Sequence, residues 1–322
     1  MTELTSPPGL LGAYARALLP KPAPGSAPKP VPGSAPAAGS GRPEPRLRLR
    51  DRPVDRRRLA RYRELCGFPA DSGALPVTYP HLEAFPLSMA LMARRDFPLP
   101  LLGLVHIGNT VQRLRPIGPE ERLDYQVTVA APRPHPKGTS VEVTAEASAG
   151  SGAVAWRSVS TYLRRGSRPG DAAAAAGPAG RKPAEPDPVV PDAVDPDLDE
   201  DWRLPSGLGR AYAAVSGDRN PIHLHPLTAR LFGFPRHIAH GMWTKARCLA
   251  ALEGAGLLPE GPYEARVEFR APVLLPAHVR LRADAEGFRL TGTGDRPRTH
   301  LRGTIGRPGA GAPARPGQAP SS

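Results

Sequence analysis

"GMWTKARCLAALEGAGLLPEGPYEARVEFRAPV", residues 241–273, changes its periodicity halfway along. The first part places Met242, Ala246, Leu249, Ala250 and Leu252 around a mostly apolar cylinder, the pattern of a helix buried on nearly every side. The second part sets Ala265, Val267 and Phe269 alternately with charged residues, which predicts a strand with one wet and one buried face. Strand patterns continue in "HVRLRADAEG", "FRLTGTG" and "RTHLRGTIG". A long apolar helix followed by several antiparallel strands predicts a sheet wrapped round that helix.

The same plan occurs upstream. "DRRRLARYRELCGF" reads as a helix and "PHLEAFPLSMALMARRDFPL" as a central apolar helix. "LVHIGNTVQRLRPI", "RLDYQVTVAAPRP", "TSVEVTAEASAG" and "VAWRSVSTYLRR" then supply strands. Two blocks with one element order imply a duplicated fold, with expected bounds of 46–165 and 201–306. A Pro/Ala/Asp-rich linker is expected over 166–200, a flexible segment over 1–45 and a disordered tail over 307–322. Within the 1–45 segment, "MTELTSPPGLLGAYARALLP" has a Leu/Ala/Tyr pattern able to form a short amphipathic helix.

Composition narrows the function classes. Aromatics are only 5% of the 322 residues, so a core must be built from Leu, Val and Ala. The net charge of +13 invites a nucleic-acid partner, but its placement argues against one. Residues 1–50 hold seven Lys/Arg against two acids, and residues 301–322 hold three against none. Basic clusters are not interleaved with aromatics, so no nucleic acid is expected. A mild positive field suits phosphate-bearing substrates or an acidic carrier protein. Cys66 and Cys248 are too few for a metal cluster and fit a reducing compartment. No run approaches the ~18 apolar residues of a membrane helix, and the start lacks a signal-peptide pattern. A cytoplasmic protein without an integral membrane segment is expected.

The chemistry concentrates in "YAAVSGDRNPIHLHPLTARLFGFPRHIAHGM", residues 212–242. A metal site, an acid/base pair and a histidine-rich polar loop are the readings to separate. Gly217 and the later His223-Leu-His225 resemble the opening of the cupin metal motif, but "PLTARLFG" lacks the glutamate that should follow. A zinc or iron site needs three or four ligands, so no metal is expected.

"SGDRNPIHLHPLTARLFGFPRHIAHGM" resembles the hydratase motif of the MaoC-like, (R)-specific enoyl-CoA hydratase family. The shared pattern is Gly-Asp-x-Asn-Pro-x-His, then an Ala, a Gly-Phe, and Ile-Ala-His-Gly-Met at the start of the central helix. "VEFRAPVLLPAHV" is similar to that family's strand after the helix, with Ala277 in place of the usual Gly. The resemblance implies an α+β double hot dog, each half a curved antiparallel sheet round one long helix. "LPVTYPHLEAFPL" followed by "LGLVHIGNTVQRLRPI" is similar to the N-terminal halves of such proteins, and without Asp-x-Asn-Pro-x-His that half is expected to be degenerate.

The resemblance implies that Asp218 and His223, held by the Asn220–Pro221 turn, form an acid/base pair able to reach one water. It gives Asn220 an orienting role and Gly241 the backbone N–H that receives the thioester oxygen. Ser216, Gly217, Ile238, His240 and Met242 are expected to line the substrate site. No glycine elbow surrounds Ser216, so it is not read as a nucleophile. His225 and His237 are read as loop or surface residues, and His81 and His106 as lone structural histidines. His106 and Asn109 are further candidates for an acyl-chain pocket.

The implied activity is a hydro-lyase interconverting a trans-2-enoyl thioester and an (R)-3-hydroxyacyl thioester, carried on coenzyme A or acyl carrier protein. No organic cofactor is expected, because the thioester itself acidifies the α-proton. The chain is expected as a monomer containing a pseudo-dimer, or as a homodimer. A hot-dog thioesterase is the enzymatic rival, though Glu253 lies too near its helix end to serve as the carboxylate. A non-catalytic acyl-binding module is the other rival.

Overall fold

The computed structural model describes residues 2–4, 6–10, 12, 45–101, 103–150, 152–166, 196–284, 287–294 and 297–309. Most of the segment expected to be flexible, nearly all of the linker and the tail beyond 309 lie outside the described residues. The first half comprises β1 (Thr2–Leu4), β2 (Arg46–Pro53), α1 (Arg56–Cys66), α2 (Tyr79–Met92), β3 (Leu104–Arg113), β4 (Arg122–Val129), β5 (Arg133–His135), β6 (Gly138–Ser148) and β7 (Val154–Arg165). In the second half, β8 (Leu198–Leu204) precedes α3 (Leu208–Ser216), α4 (Pro221–Leu224), α5 (Pro226–Leu231) and α6 (Gly241–Gly254). It closes with β9 (Tyr263–Phe269), β10 (Ala277–Asp284), β11 (Gly287–Gly292) and β12 (Thr299–Gly306).

The sheet order shows the duplication. One half runs β2-β4-β6-β7-β3 and the other β8-β10-β11-β12-β9, so the halves repeat one order and meet where β3 pairs antiparallel with β9. Each half wraps its sheet round a central helix, α2 or α6, and the molecule is an α+β double hot dog. Strand alternation drives the wrapping. Leu123, Tyr125, Val127 and Val129 of β4 are buried, as are Val141, Val143, Ala145 and Ala147 of β6, while residues between them keep solvent contact. The central helices match their apolar composition, with Leu82, Leu87, Leu91 and Met92 of α2 and Ala246, Cys248 and Leu249 of α6 buried.

Polar anchors hold the seam between halves. Lys245 of α6 is fully buried, and its Nζ donates to Asn109 O at 3.1 Å, Asn109 Oδ1 at 2.6 Å and Ala265 O at 2.9 Å. Three acceptors match the three N–H groups of an ammonium, although burial pushes this amine well below the ordinary lysine range. Asn109 Nδ2 in turn donates to Ser158 Oγ and Ser160 Oγ. The polar atoms of the Asn109 side chain are thus engaged in the seam. Trp243 Nε1 crosses the halves to Leu65 O.

Four strands escape a reading by pattern. β8 starts at Leu198, inside the stretch expected as linker, because only Trp202 and Leu204 of this edge strand are buried. β2, "RLRLRDRP", hides a period of two in Leu47 and Leu49 beneath its arginines. Thr2–Leu4 pairs parallel with β2, whereas the Leu/Ala/Tyr part of the expected amphipathic helix lies almost wholly outside the described residues. β5 is a three-residue strand paired with β6. Among the described residues, no helix is long and apolar enough to cross a membrane.

Candidate active site

The polar residues of the second half converge from the end of α3, the turn into α4 and the loop entering α6. Gly217 closes α3, its N–H donating to Ala213 O at 3.0 Å. Ser216 Oγ donates to Tyr212 O at 2.8 Å and accepts from Asp218 N–H at 3.1 Å. Asp218 Oδ1 then accepts from Asn220 N–H at 3.1 Å, and Asn220 caps α4 ahead of Pro221. Each short side chain thereby ties down the next backbone N–H, the ordinary work of Asx and Ser turns. Gly209 lets α3 press against this turn, since a Cβ there would overlap the His223 carbonyl oxygen.

Two imidazoles complete the cluster. His223 is buried, and its Nδ1 lies 2.8 Å from Ile238 O. A carbonyl only accepts, so Nδ1 carries the proton and Nε2 is the bare nitrogen. His240 is buried with Nε2 at 3.0 Å from Asp218 O, so its Nδ1 is the bare one, and that atom is buried without a partner. The rings stack with centroids 3.7 Å apart and planes 26° apart. Burial, then the neighbouring His240, pushes His223 down to about 3. Burial also lowers His240, so both rings are neutral at neutral pH. The carboxylate of Asp218 and one nitrogen from each ring lie within 4.8 Å of one another.

Gly241 follows His240 directly and opens α6, whose first turn has no side-chain cap. The N–H groups there are free of helical partners and stand at the positive end of the helix dipole. The Phe269 ring closes over this corner, 3.1 Å from where a Gly241 Cβ would sit. Tyr212 packs on His240 with centroids 4.9 Å apart.

The first half also reaches the site. Arg58 Nε donates to Val215 O at 2.7 Å and its other nitrogens to Ser216 O and the Glu83 carboxylate, fixing the end of α3 just before Asp218. His106 packs against Tyr162 at 4.7 Å and Phe269 at 4.9 Å. Sequence reasoning noted His106, and Phe269 only as a strand residue; Arg58 and Tyr162 carry no local signal.

Not every expected position joins the cluster. Met242 packs into the apolar core. His237 is buried, with Nε2 at 2.7 Å from Ser206 O, and is not a surface residue. His225 is exposed and caps α5 through Nδ1, turned to a task apart from its cupin-like neighbour His223. Asp218, His223 and His240 offer three donors, yet they suit a metal ion poorly. Ring lone pairs lie in the ring planes, and two nearly parallel stacked planes cannot both aim at one ion about 2.1 Å away. A groove of about 770 Å³ lies on the outer face of α3, lined by Trp202, Leu204, Leu208, Ala211, Trp243 and Arg247 among others. Glu253 sits half-buried twelve residues beyond Gly241, about 18 Å along α6.

A double hot dog with an acid and an imidazole gathered beside an open helix start is the architecture of an acyl-thioester hydratase/dehydratase. The "MaoC like domain" family model matches residues 203–298. The chain is 34% identical over 239 residues to 3-hydroxyacyl-thioester dehydratase X of Mycobacterium tuberculosis, covering 74% of this chain and 80% of that protein. The crystal structure of HtdX from the same organism aligns with a TM-score of 0.65 at 32% identity, over 81% of this chain and 99% of that one. A MaoC-like dehydratase from Phytophthora capsici shares the fold, with a TM-score of 0.59 at 18% identity over 82% and 96% of the two chains. The chain belongs to the MaoC-like dehydratase family and is a hydratase/dehydratase of acyl metabolism.

Proposed function

We propose that the protein interconverts trans-2-enoyl and (R)-3-hydroxyacyl thioesters, with Asp218 and His223 as the acid/base pair. The convergence of these two groups and His240 within 4.8 Å, with Gly241 following His240 directly at the start of α6, is the observation that carries this reading. The catalytic half is assigned to 201–306, with 46–165 as its supporting half. Coenzyme A or acyl carrier protein carries the acyl group.

In the hydration direction, Asp218 and the bare Nε2 of His223 hold one water. As its oxygen bonds to C3, the C2–C3 π electrons move toward the thioester and charge collects on the carbonyl oxygen. The Gly241 N–H faces that charge, a contribution typically worth about 3–4 kcal/mol of barrier. The pair takes one proton from the water and returns a proton to C2 as the enolate collapses. Dehydration runs these steps in reverse. Asn220 keeps the Asp218 carboxylate in place through its backbone N–H, and His240 holds the backbone of Asp218 from the other side.

Crotonyl and longer enoyl thioesters, on both carriers, test the reading. Loss of the conjugated-enoyl absorbance without thiol release supports it, whereas thiol release marks a thioesterase. The remote position of Glu253 weighs against the second outcome.

A further inference from the structure

Among the described residues, the large apolar side chains that stand in solvent all fall in one short stretch. Leu227 is 63% exposed, Leu231 80% and Phe232 39%. Leu227 and Leu231 are four apart on α5 and so share one outward face, while Ala229 is buried. The approach to the other central helix lacks this feature, for Phe68, Leu75 and Val77 ahead of α2 are all buried. Single exposed leucines are ordinary, but three large apolar side chains within six residues make a patch.

The patch is tied to the candidate active site at its base. Ile238 N–H donates to Ile222 O at 3.0 Å, and Ile238 O lies 2.8 Å from Nδ1 of His223. Residues 223–237 are therefore an excursion whose two ends meet beside His223. Its path outward is braced. His225 Nδ1 accepts from Leu227 N–H at 3.2 Å, and Thr228 Oγ1 lies 2.7 Å from Pro221 O. On the way back, Phe234 N–H donates to Ala229 O at 3.1 Å and Arg230 Nε to Pro235 O at 3.4 Å. A partner held on α5 is thus held on the same loop that carries His223.

The border of the patch is basic. Between residues 205 and 239 the chain has four arginines, Arg210, Arg219, Arg230 and Arg236, and a single acid, Asp218. All four arginines are exposed, whereas Oδ2 of Asp218 lies 3.8 Å from the buried His240. This face therefore offers positive charge and apolar surface together. Nucleotides and other small ligands are held in concave clefts, and a leucine 80% exposed on a short outer helix supplies no walls for one. An apolar face with a basic border suits the surface of an acidic protein.

We propose that the outward face of α5, formed by Leu227, Leu231 and Phe232 with Arg230 and Arg236 at its border, is the docking surface for an acyl carrier protein. This rests on the hydratase/dehydratase reading above and chooses between the two carriers that it leaves open. An acyl carrier protein is acidic and holds its thioester at the end of a flexible phosphopantetheine arm. Docking on α5 keeps the protein outside while the arm brings the acyl group to the base of the same loop, where Asp218 and His223 lie. Coenzyme A has the same arm but no protein surface to cover the leucines, so the patch favours the protein carrier.

Steady-state kinetics on the full chain, with one crotonyl group on acyl carrier protein and on coenzyme A, test this. Leu227→Ser together with Leu231→Ser removes exposed apolar surface and leaves the core untouched. KM for the carrier-protein thioester should rise about tenfold, while its kcat and both constants for crotonyl-CoA stay within about twofold. Arg230→Glu should raise the same KM about three- to tenfold at low ionic strength and by less in high salt. Equal losses on the two carriers, or an unchanged KM for the carrier-protein thioester, overturn the proposal. So does a chain that is dimeric by light scattering and monomeric in the double-serine variant, since the patch then joins two copies. Turnover of crotonyl-CoA but not of the carrier-protein thioester by the unaltered chain overturns the docking proposal alone. Turnover of neither means that the hydratase/dehydratase reading itself fails, and the docking proposal falls with it.

Discussion

His223 and His240 lie face to face with ring centroids 3.7 Å apart, and each directs its single N–H away from the other, to Ile238 O and Asp218 O. Two neutral rings tolerate this contact, whereas two imidazoliums would not. Buried, uncharged histidines make a prediction about acid. Burial holds His223 and His106 at about 3 and His81 at about 4, against an ordinary value of 6.5. Below pH 6.5 the unfolded chain binds protons at these positions and the folded one does not, so stability falls as pH falls and is fully present above the unfolded value. Each such histidine should cost about 1 kcal/mol between pH 6 and pH 5. Denaturant melts at pH 7, 6 and 5 read this directly, and a midpoint unchanged over that range would show that the rings are charged or exposed.

The contact between Gly241 and Phe269 makes a second prediction. In Gly241→Ala the new methyl would lie 3.1–3.3 Å from three ring atoms of Phe269, tighter than ordinary packing. Stability should change by no more than about 1 kcal/mol, because alanine suits a helix better than glycine. kcat/KM should fall by at least about tenfold, since the ring must shift at the corner proposed to hold the carbonyl oxygen. Adding Phe269→Leu should recover part of the loss. Full activity in Gly241→Ala alone would remove this corner from the reaction.

Arg58 and Glu83 test the support given by the first half. Their 2.7 Å ion pair is largely buried, and the same guanidinium holds Val215 O and Ser216 O. Arg58→Met should destabilise the protein by about 2–4 kcal/mol, because it leaves a carboxylate buried without its partner. Arg58→Met with Glu83→Gln should recover much of that stability but not the activity, which depends on the anchored end of α3. Thermal melts and steady-state rates on the three variants separate these two consequences.

The fold was legible because its two periods are unmixed. The apolar cylinder of α6 and the alternation of β9 sit next to each other in one stretch, and the same order recurs upstream. The acid, amide and imidazole of the site lie within six residues of sequence, Asp218 to His223, so local turns bring them together. The remainder depends on long-range packing. Arg58 is 157 residues from Val215, and Lys245 is 136 from Asn109, separations over which no pattern speaks. The buried state of His237 was missed because its partner, Ser206 O, is 31 residues away in the chain. The one-residue register shift between His106 and Gly108 is visible only once β3 and β7 are paired.

The pairing of Asp218 with His223 is most directly tested by Asp218→Asn, which keeps the shape and the oxygen that receives the Asn220 N–H. Stopped-assay rates with crotonyl-CoA should fall by about a hundredfold or more, the usual worth of a positioned acid/base group. Calorimetric affinity for butyryl-CoA should stay within about threefold, because the slot is otherwise intact. An Asp218→Asn protein that retains a tenth or more of its turnover would contradict the account.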